Sequence, residues 1–234
     1  MLSKTKLYEG KAKIVYTTDD DNQMLIHFKD EATAFDGVKK GKIKGKGIVN
    51  NKMSCHLFQY LERYNVPTHF IEQASDNEML VKKVEIIKIE VAMRNIAAGH
   101  LCKRYGIEEG TDLQTPILEF YLKDDSLHNP LINEYHAYAL ELATREEVRY
   151  FSQQAIKINA VLRSYFHRRD ILLVDFKLEF GRLADEIILA DEISPDTCRL
   201  WDAKTRKKMD KDRFRHDLGE VEETYKEILE RTLA

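Results

Sequence analysis

The run Val174-Asp175-Phe176-Lys177-Leu178-Glu179-Phe180-Gly181 alternates strictly, with Val174, Phe176, Leu178 and Phe180 on one face of a strand and Asp175, Lys177 and Glu179 on the other. A second apolar run, Ile187-Ile188-Leu189-Ala190, follows and leads into Asp191-Glu192, so the pair predicts an antiparallel hairpin turning near Asp185. With residue 185 as the pivot, Glu179 faces Asp191. Directly opposed β-carbons stand roughly 4.5–5.5 Å apart, and like charges at that spacing destabilise a sheet unless a positive group sits between them. A divalent cation is one such group, because hard carboxylate oxygens suit magnesium, which completes its sphere with water and phosphate oxygens. A solvated face in a slightly different register is the competing reading.

Working outward, 234 residues suffice for a sizeable core, as one large domain or as two lobes sharing a cleft. The 37 basic and 40 acidic residues leave a net charge of −3, which gives no global attraction to nucleic acid or anionic membrane. Any phosphate site is therefore local. No apolar run approaches the ~20 residues of a membrane span, and Met1-Leu2-Ser3-Lys4 opens no signal-peptide core, so a soluble, cytoplasmic protein is expected. Cys55, Cys102 and Cys198 are odd in number and widely spaced, which predicts reduced thiols rather than disulfides or a zinc site.

The chain opens with two strand-like runs hinged at Gly10, Lys6–Glu9 and Lys11–Tyr16, and a third, Met24–Phe28, follows the turn Asp19–Asn22. Together they predict an antiparallel meander. Its first tip carries Gly10, Lys11 and Lys13, which can lay amide N–H groups and ammonium charges over phosphates, or can be a solvated hairpin tip. The basic run Lys39-Lys40-Gly41-Lys42-Ile43-Lys44-Gly45-Lys46 lacks the interleaved aromatics of a nucleic-acid surface and reads as a loop beside an anionic substrate. Met53, Leu57, Phe58 and Leu61 then mark a helix that Pro67 follows, with His56 a structural member of it.

Met79-Leu80-Val81 completes the first sheet, Val81-Lys82-Lys83-Val84 forms a hinge, and Ile86–Met93 leads into the second lobe. Arg94 lies at that strand's end, before the small residues Ala97-Ala98-Gly99 and a helix start, where open amides and a bidentate guanidinium can hold a phosphate. A structural ion pair with Glu90 is the alternative. Residues 112–143 read as loops and short elements. Thr144 and Glu147 form a capping box for a long helix whose core face is Val148, Phe151, Ala155, Ile158, Leu162 and Tyr165. A turn and short strand carry Arg199. A last helix is expected from Asp212, with Phe214, Leu218, Val221, Tyr225 and Ile228 facing inward.

Four strings, Tyr8-Glu9-Gly10-Lys11-Ala12-Lys13, Val91-Ala92-Met93-Arg94-Asn95 with Ala98-Gly99, Val174–Gly181 and Asp191-Glu192-Ile193-Ser194-Pro195-Asp196, closely resemble the SAICAR synthetase family, in order and over nearly the whole chain. The resemblance implies an ATP-dependent ligase that joins L-aspartate to the carboxylate of carboxyaminoimidazole ribonucleotide (CAIR), with ATP and Mg2+, and a homodimer without nucleic-acid partners. It implies a two-lobed α+β fold related to kinases and ATP-grasp proteins, with antiparallel sheets and flanking helices. Residues 1–84 would form the ATP-phosphate lobe and 85–234 the metal and ribonucleotide lobe.

Carried over by position, Lys11, Ala12 and Lys13 would cover the ATP phosphates, Lys82 and Val84 would meet adenine through their backbone, and Val15 and Lys123 would join the ATP set. Glu179 and Asp191 would hold magnesium. Arg94 and Arg199, helped by Arg215 and His100, would grip the ribonucleotide phosphate, with Lys177 and Glu90 near its imidazole. Asp36 and Lys40 match a segment near the incoming substrates, and Lys177, Glu179, Asp191, Asp36 and Lys40 form the expected catalytic set. The chain departs from the family pattern at His100, where serine is usual, and at Asn129, where aspartate is common. A carboxylate is a poor acyl donor, so the implied route passes through an acyl phosphate that the amine attacks. A small-molecule kinase and a nucleotide-binding regulatory module are the rival readings.

Overall fold

The computed structural model describes residues 5–34 and 37–234. The expected meander is present: β1 (Lys6–Glu9), β2 (Lys13–Thr17) and β3 (Gln23–Phe28) are successive antiparallel strands. A small hairpin of β4 (Glu31–Ala34) and β5 (Lys39–Lys42) follows, then helix α1 (Lys46–Glu62), then β6 (Phe70–Ser75) and β7 (Glu78–Lys82). The last two strands complete a sheet of order β1-β2-β3-β7-β6. Helix α1 buries Met53, Leu57, Phe58 and Leu61 against it, and His56 donates or accepts at 2.7 Å with the Tyr165 hydroxyl, a structural role as expected.

The second sheet begins at β8 (Glu85–Ile96), continues through α2 (His100–Tyr105), β9 (Asp112–Leu122), β10 (Leu131–Ile132), α3 (Glu134–Ala139) and α4 (Arg145–His167), and ends with β11 (Ile171–Leu183), β12 (Glu186–Ala190) and β13 (Cys198–Asp202). Its order is β10-β9-β8-β11-β12, with β13 pairing the first half of β11. The architecture is α+β with antiparallel sheets, as expected. Thr144 accepts from the Glu147 amide and Glu147 from the Thr144 amide, so the capping box of α4 forms, and Phe151 stacks on Phe180 at 5.7 Å.

Two expectations fail. Residues 112–122 are one long strand, not loops. Pro116 disguised it, because a proline has no N–H for a ladder; here β10 reaches only Phe120 and Tyr121, so β9 has an unpaired edge at Pro116. The last helix is two, α5 (Asp212–Arg215) and α6 (Val221–Leu233), separated by the left-handed Gly219 and Glu220 with φ of 69° and 49°. The Arg213 guanidinium donates to the carbonyls of Leu218 and Gly219, both at 2.8 Å, and this stabilises the break and leaves Leu218 exposed rather than inward.

The sheets meet where Lys82 and Glu85 end one and begin the other, and the His69 amide donates to the Leu189 carbonyl at 2.8 Å, tying β12 to the start of β6. One buried cluster, with Met53 and Phe58 beside Phe151, Phe176 and Phe180, runs beneath both. Gly181 lies against this junction: a β-carbon there would stand 2.5 Å from Val84 Cγ2 and 2.8 Å from its Cβ. Gly181→Ala is therefore expected to cost about 1–3 kcal/mol through overpacking, read from urea denaturation; an unchanged midpoint would show that the junction yields freely.

Candidate active site

On β11 the alternation sends Phe176, Leu178 and Phe180 into the core and leaves Asp175, Lys177 and Glu179 on the opposite face. The hairpin centre is not Asp185. Leu183 pairs Glu186, so the loop is Ala184-Asp185 and Glu179 faces Ala190, one residue short of the expected partner. Continued as a strand, Asp191 would point to the other face. Instead it takes a left-handed φ of 63°, and its carboxylate is brought to the Glu179 side. The acidic residue directly opposite Glu179 is Glu90, on β8.

The positive group among these acids is an ammonium. Lys177 Nζ lies 2.5 Å from Glu179 Oε1, 3.2 Å from Asp191 Oδ2 and 3.5 Å from Glu90 Oε1. Lys123 approaches the same Glu179 oxygen at 2.8 Å, while Lys13, reaching across from β2, pairs with Asp191 and lies 3.0 Å from Glu192. Burial works against each charge. Even so, Lys13 and Lys177 are held above the usual ammonium range by the surrounding carboxylates, and Asp191 well below the usual carboxylate range by Lys13 and Lys177. Glu179 and Asp191 offer hard oxygens suited to magnesium. Among the described residues no three His, Cys, Asp or Glu side chains are placed to hold a metal ion by themselves, so phosphate and water oxygens would complete the coordination of such an ion.

A second cluster lies along the same sheet. Arg94 is buried and donates from Nε to Glu119 at 2.6 Å, from one terminal nitrogen to Asp175 at 2.8 Å and from the other to the Tyr121 hydroxyl at 3.0 Å. The ion pair that the alternative reading gave to Glu90 thus goes to Glu119 and Asp175. Arg199 shares Asp175 at 2.8 Å and binds Asp212 at 2.8 Å, and Arg215 takes the other Asp212 oxygen at 2.5 Å. Burial raises the Asp212 carboxyl, but Arg199 and Arg215 outweigh it and hold it at about 2. Gly99, with φ of 58°, lies beneath Arg199, one terminal nitrogen of which would stand 2.6 Å from a β-carbon there. His100 is exposed beside this cluster, and its imidazole is held below its ordinary value by burial and then by the charge of Arg199.

At the glycine tip, a cavity of about 440 Å³ is lined by Tyr8, Gly10, Lys11, Thr33 and Lys40 among others, which brings Lys40 opposite the lysine tip. Lys11 pairs with Asp125 at 2.9 Å, and Ala12 accepts from the Lys29 amide at 2.8 Å. Val15 lies in β2 against the core. At the hinge the Lys82 amide donates to the His69 carbonyl at 2.7 Å, so that donor is already committed. Asn129, at φ 46°, accepts from the Asp124 amide at 2.8 Å and shapes a turn rather than presenting a charge. Asp36 lies outside the described residues.

Sequence reading missed Asp175 and Glu119 as anchors of the arginines, Glu192 as a partner of Lys13, and the pair Lys46 and Asp196, wholly or nearly buried at 2.9 Å. Asp175 stood in the quoted strand, and its place on the Lys177 face was the signal available. Lys46 gave none, because it ends a basic run that otherwise reads as solvated.

The SAICAR synthetase family model matches residues 6–232. A phosphoribosylaminoimidazole-succinocarboxamide synthase from Thermoanaerobacter sp. strain X514 is 59% identical over 231 residues, covering 99% of this chain and 98% of that protein. The crystal structure of the same enzyme from Ehrlichia chaffeensis is 46% identical, covers 98% of this chain and 99% of its own, and superposes with a TM-score of 0.96. A SAICAR synthetase solved in complex with ADP is 49% identical, with a TM-score of 0.93 and 96% of each chain covered. This chain belongs to the SAICAR synthetase family.

Proposed function

We propose that the clusters built around Lys177 and Arg199 carry out the family's reaction, the ATP-dependent ligation of L-aspartate to the carboxylate of CAIR, giving SAICAR, ADP and phosphate in purine biosynthesis. The observation that carries this residue assignment is the position of Lys177 Nζ, within 3.5 Å of Glu90, Glu179 and Asp191. Arg199 stands on the same sheet face, since its partner Asp175 is two residues from Lys177. The ADP-bound homologue supports the nucleotide, and magnesium would be held by Glu179 and Asp191 on its phosphates. A cytoplasmic location and a homodimer belong to the same reading, as does a division into lobes 1–84 and 85–234.

Activation of the CAIR carboxylate uses the γ-phosphoryl group of ATP, and an acyl phosphate is what the aspartate amine can attack. The protein's part is charge and position. Lys13, from the glycine-tip sheet, and Lys177 and Lys123, from the second sheet, bring three ammonium charges to one place, where they can stabilise the transferring group. Arg199 and Arg94, fixed by Asp175, orient the ribonucleotide phosphate so that its ring end reaches Lys177. Lys11 and Lys40 close the cleft from the other side.

An ADP-release assay tests the reading. Release that requires both CAIR and aspartate is the expected result; release with one acceptor alone would make the protein a kinase, and none under any combination would make it a binding module.

A further inference from the structure

Behind the two clusters lies a third that neither uses. Lys46, on α1, is fully buried and donates to Asp196 Oδ2 at 2.9 Å. Tyr225, on α6, donates to the other oxygen of Asp196 at 2.8 Å. Lys211 is left with Asp196 Oδ2 at 3.5 Å, an oxygen already taken by Lys46. Burial, opposed by Asp196 but reinforced by the nearby charges of Arg215 and Lys46, pulls the Lys211 ammonium below its ordinary value. A largely buried cation in this position has a carboxylate too few, and leaving a buried charge incompletely paired is costly.

The location fits a substrate. Lys211 adjoins Asp212, which holds both Arg199 and Arg215 in the phosphate cluster, and its amide donates to the Pro195 carbonyl at 3.1 Å, in the turn that begins at Glu192, the partner of Lys13 in the phosphoryl-transfer cluster. It therefore stands between the two groups that the reaction must bring together. Beside it, Lys46, Asn50 and Ser54 recur every fourth residue along α1, with Lys46 bonded to Asp196 and Ser54 to the Ile193 carbonyl. Asn50, between them and buried, has no hydrogen-bond partner for either atom of its amide among the described residues. The turn 192–196 thus meets an under-paired cation, and the helix face bonded to it carries an unpartnered amide.

We propose that Lys211 binds a carboxylate of the incoming L-aspartate and so positions its amine between the phosphoryl-transfer and ribonucleotide clusters. This rests on the ligase reading above. An amino acid with two carboxylates supplies the charge that the Lys46–Asp196–Lys211 group lacks, whereas ATP and the ribonucleotide phosphate have their own cations elsewhere. Lys211 acts as a positioning residue in the aspartate subsite and does not touch the transferring phosphoryl group.

Two measurements test it. In steady-state kinetics Lys211→Met, which keeps the apolar stem and removes the charge, is expected to raise the KM for aspartate about tenfold or more while those for ATP and CAIR change less than about twofold. Lys211→Arg is expected to recover part of the loss. Succinate, which keeps both carboxylates and lacks the amine, should raise the melting temperature of the parent and not that of Lys211→Met. Parallel loss for all three substrates, or unchanged aspartate KM with an unchanged succinate shift, would overturn the assignment. Should Lys211→Met not fold, an aspartate KM in Lys211→Arg equal to the parent's would do the same. A parent that releases ADP without aspartate would instead sink the ligase reading, so the two failures are distinct.

Discussion

Asp191→Asn yields a protein that unfolds earlier and forms ADP on the order of a hundred- to a thousandfold more slowly. The amide keeps the size of the side chain but replaces a charge that faces Lys13 and Lys177, and it turns an N–H toward one of them or loses a contact. Both lysines are partly buried and are held charged by their carboxylates, Asp191 foremost for Lys13. Removing one member of such a group leaves charge uncompensated, at a cost of about 3–5 kcal/mol. This reverses the expectation that follows from the hairpin alone, in which losing one of two opposed carboxylates would leave the metal-free protein as stable as before or more so. The slowed chemistry follows from losing a preorganised charge where the phosphoryl group moves.

The pH dependence has a definite sign. Asp191 is depressed in the folded state, so its stabilising contribution is complete above the ordinary aspartate value of about 3.9 and is lost as pH falls through the lower, folded one. Lys13 is raised, so its contribution is complete below about 10.4 and is lost only at higher pH. Near neutrality the parent holds both, and Asp191→Asn lacks the first. Urea titrations at pH 7 and at pH 3 should therefore show the difference between parent and variant shrinking at the acid end. A variant as stable as the parent at pH 7 would mean that the lysines do not depend on Asp191.

Arg94→Lys has the second large effect, and it falls on two properties at once. Arg94 uses Nε and both terminal nitrogens on Glu119, Asp175 and Tyr121, a fork that a single ammonium cannot reproduce. Glu119 is held below the usual carboxylate value, burial being outweighed by the hydrogen bonds from Arg94 and Tyr121, so the substitution leaves a buried acid poorly paired. A stability loss of about 2–4 kcal/mol is expected. Asp175 also anchors Arg199, so the phosphate grip loosens even where Arg94 itself does not touch the ligand. The KM for CAIR should rise by a factor equivalent to one to a few kcal/mol, about the worth of a charged hydrogen bond, with the ATP KM nearly unchanged. Equal loss for both substrates, or for neither, would remove Arg94 from the ribonucleotide site.

What the amino-acid sequence by itself determined is local and periodic. The two-residue alternation from Val174 to Phe180 defined β11, its buried side and the face carrying Asp175, Lys177 and Glu179. Thr144 and Glu147 defined the start of α4, the meander up to Phe28 was legible from its turns, and the four motif strings carried the family. Tertiary structure decided what depends on partners distant in the chain. A register differing by one residue set Ala190 rather than Asp191 opposite Glu179, and only the left-handed backbone at Asp191 returned that carboxylate to the site. The counter-charges among the acids came from positions 13, 123 and 177, on three different strands or the loops beside them, which no spacing relates. Pro116 hid β9 because whether a missing N–H matters depends on whether a neighbouring strand is there to receive it. Lys46 and Lys211 likewise read as ordinary surface lysines until the fold removed them from water and gave them a single carboxylate oxygen to share, since burial is a property of the packed chain and not of any residue in it.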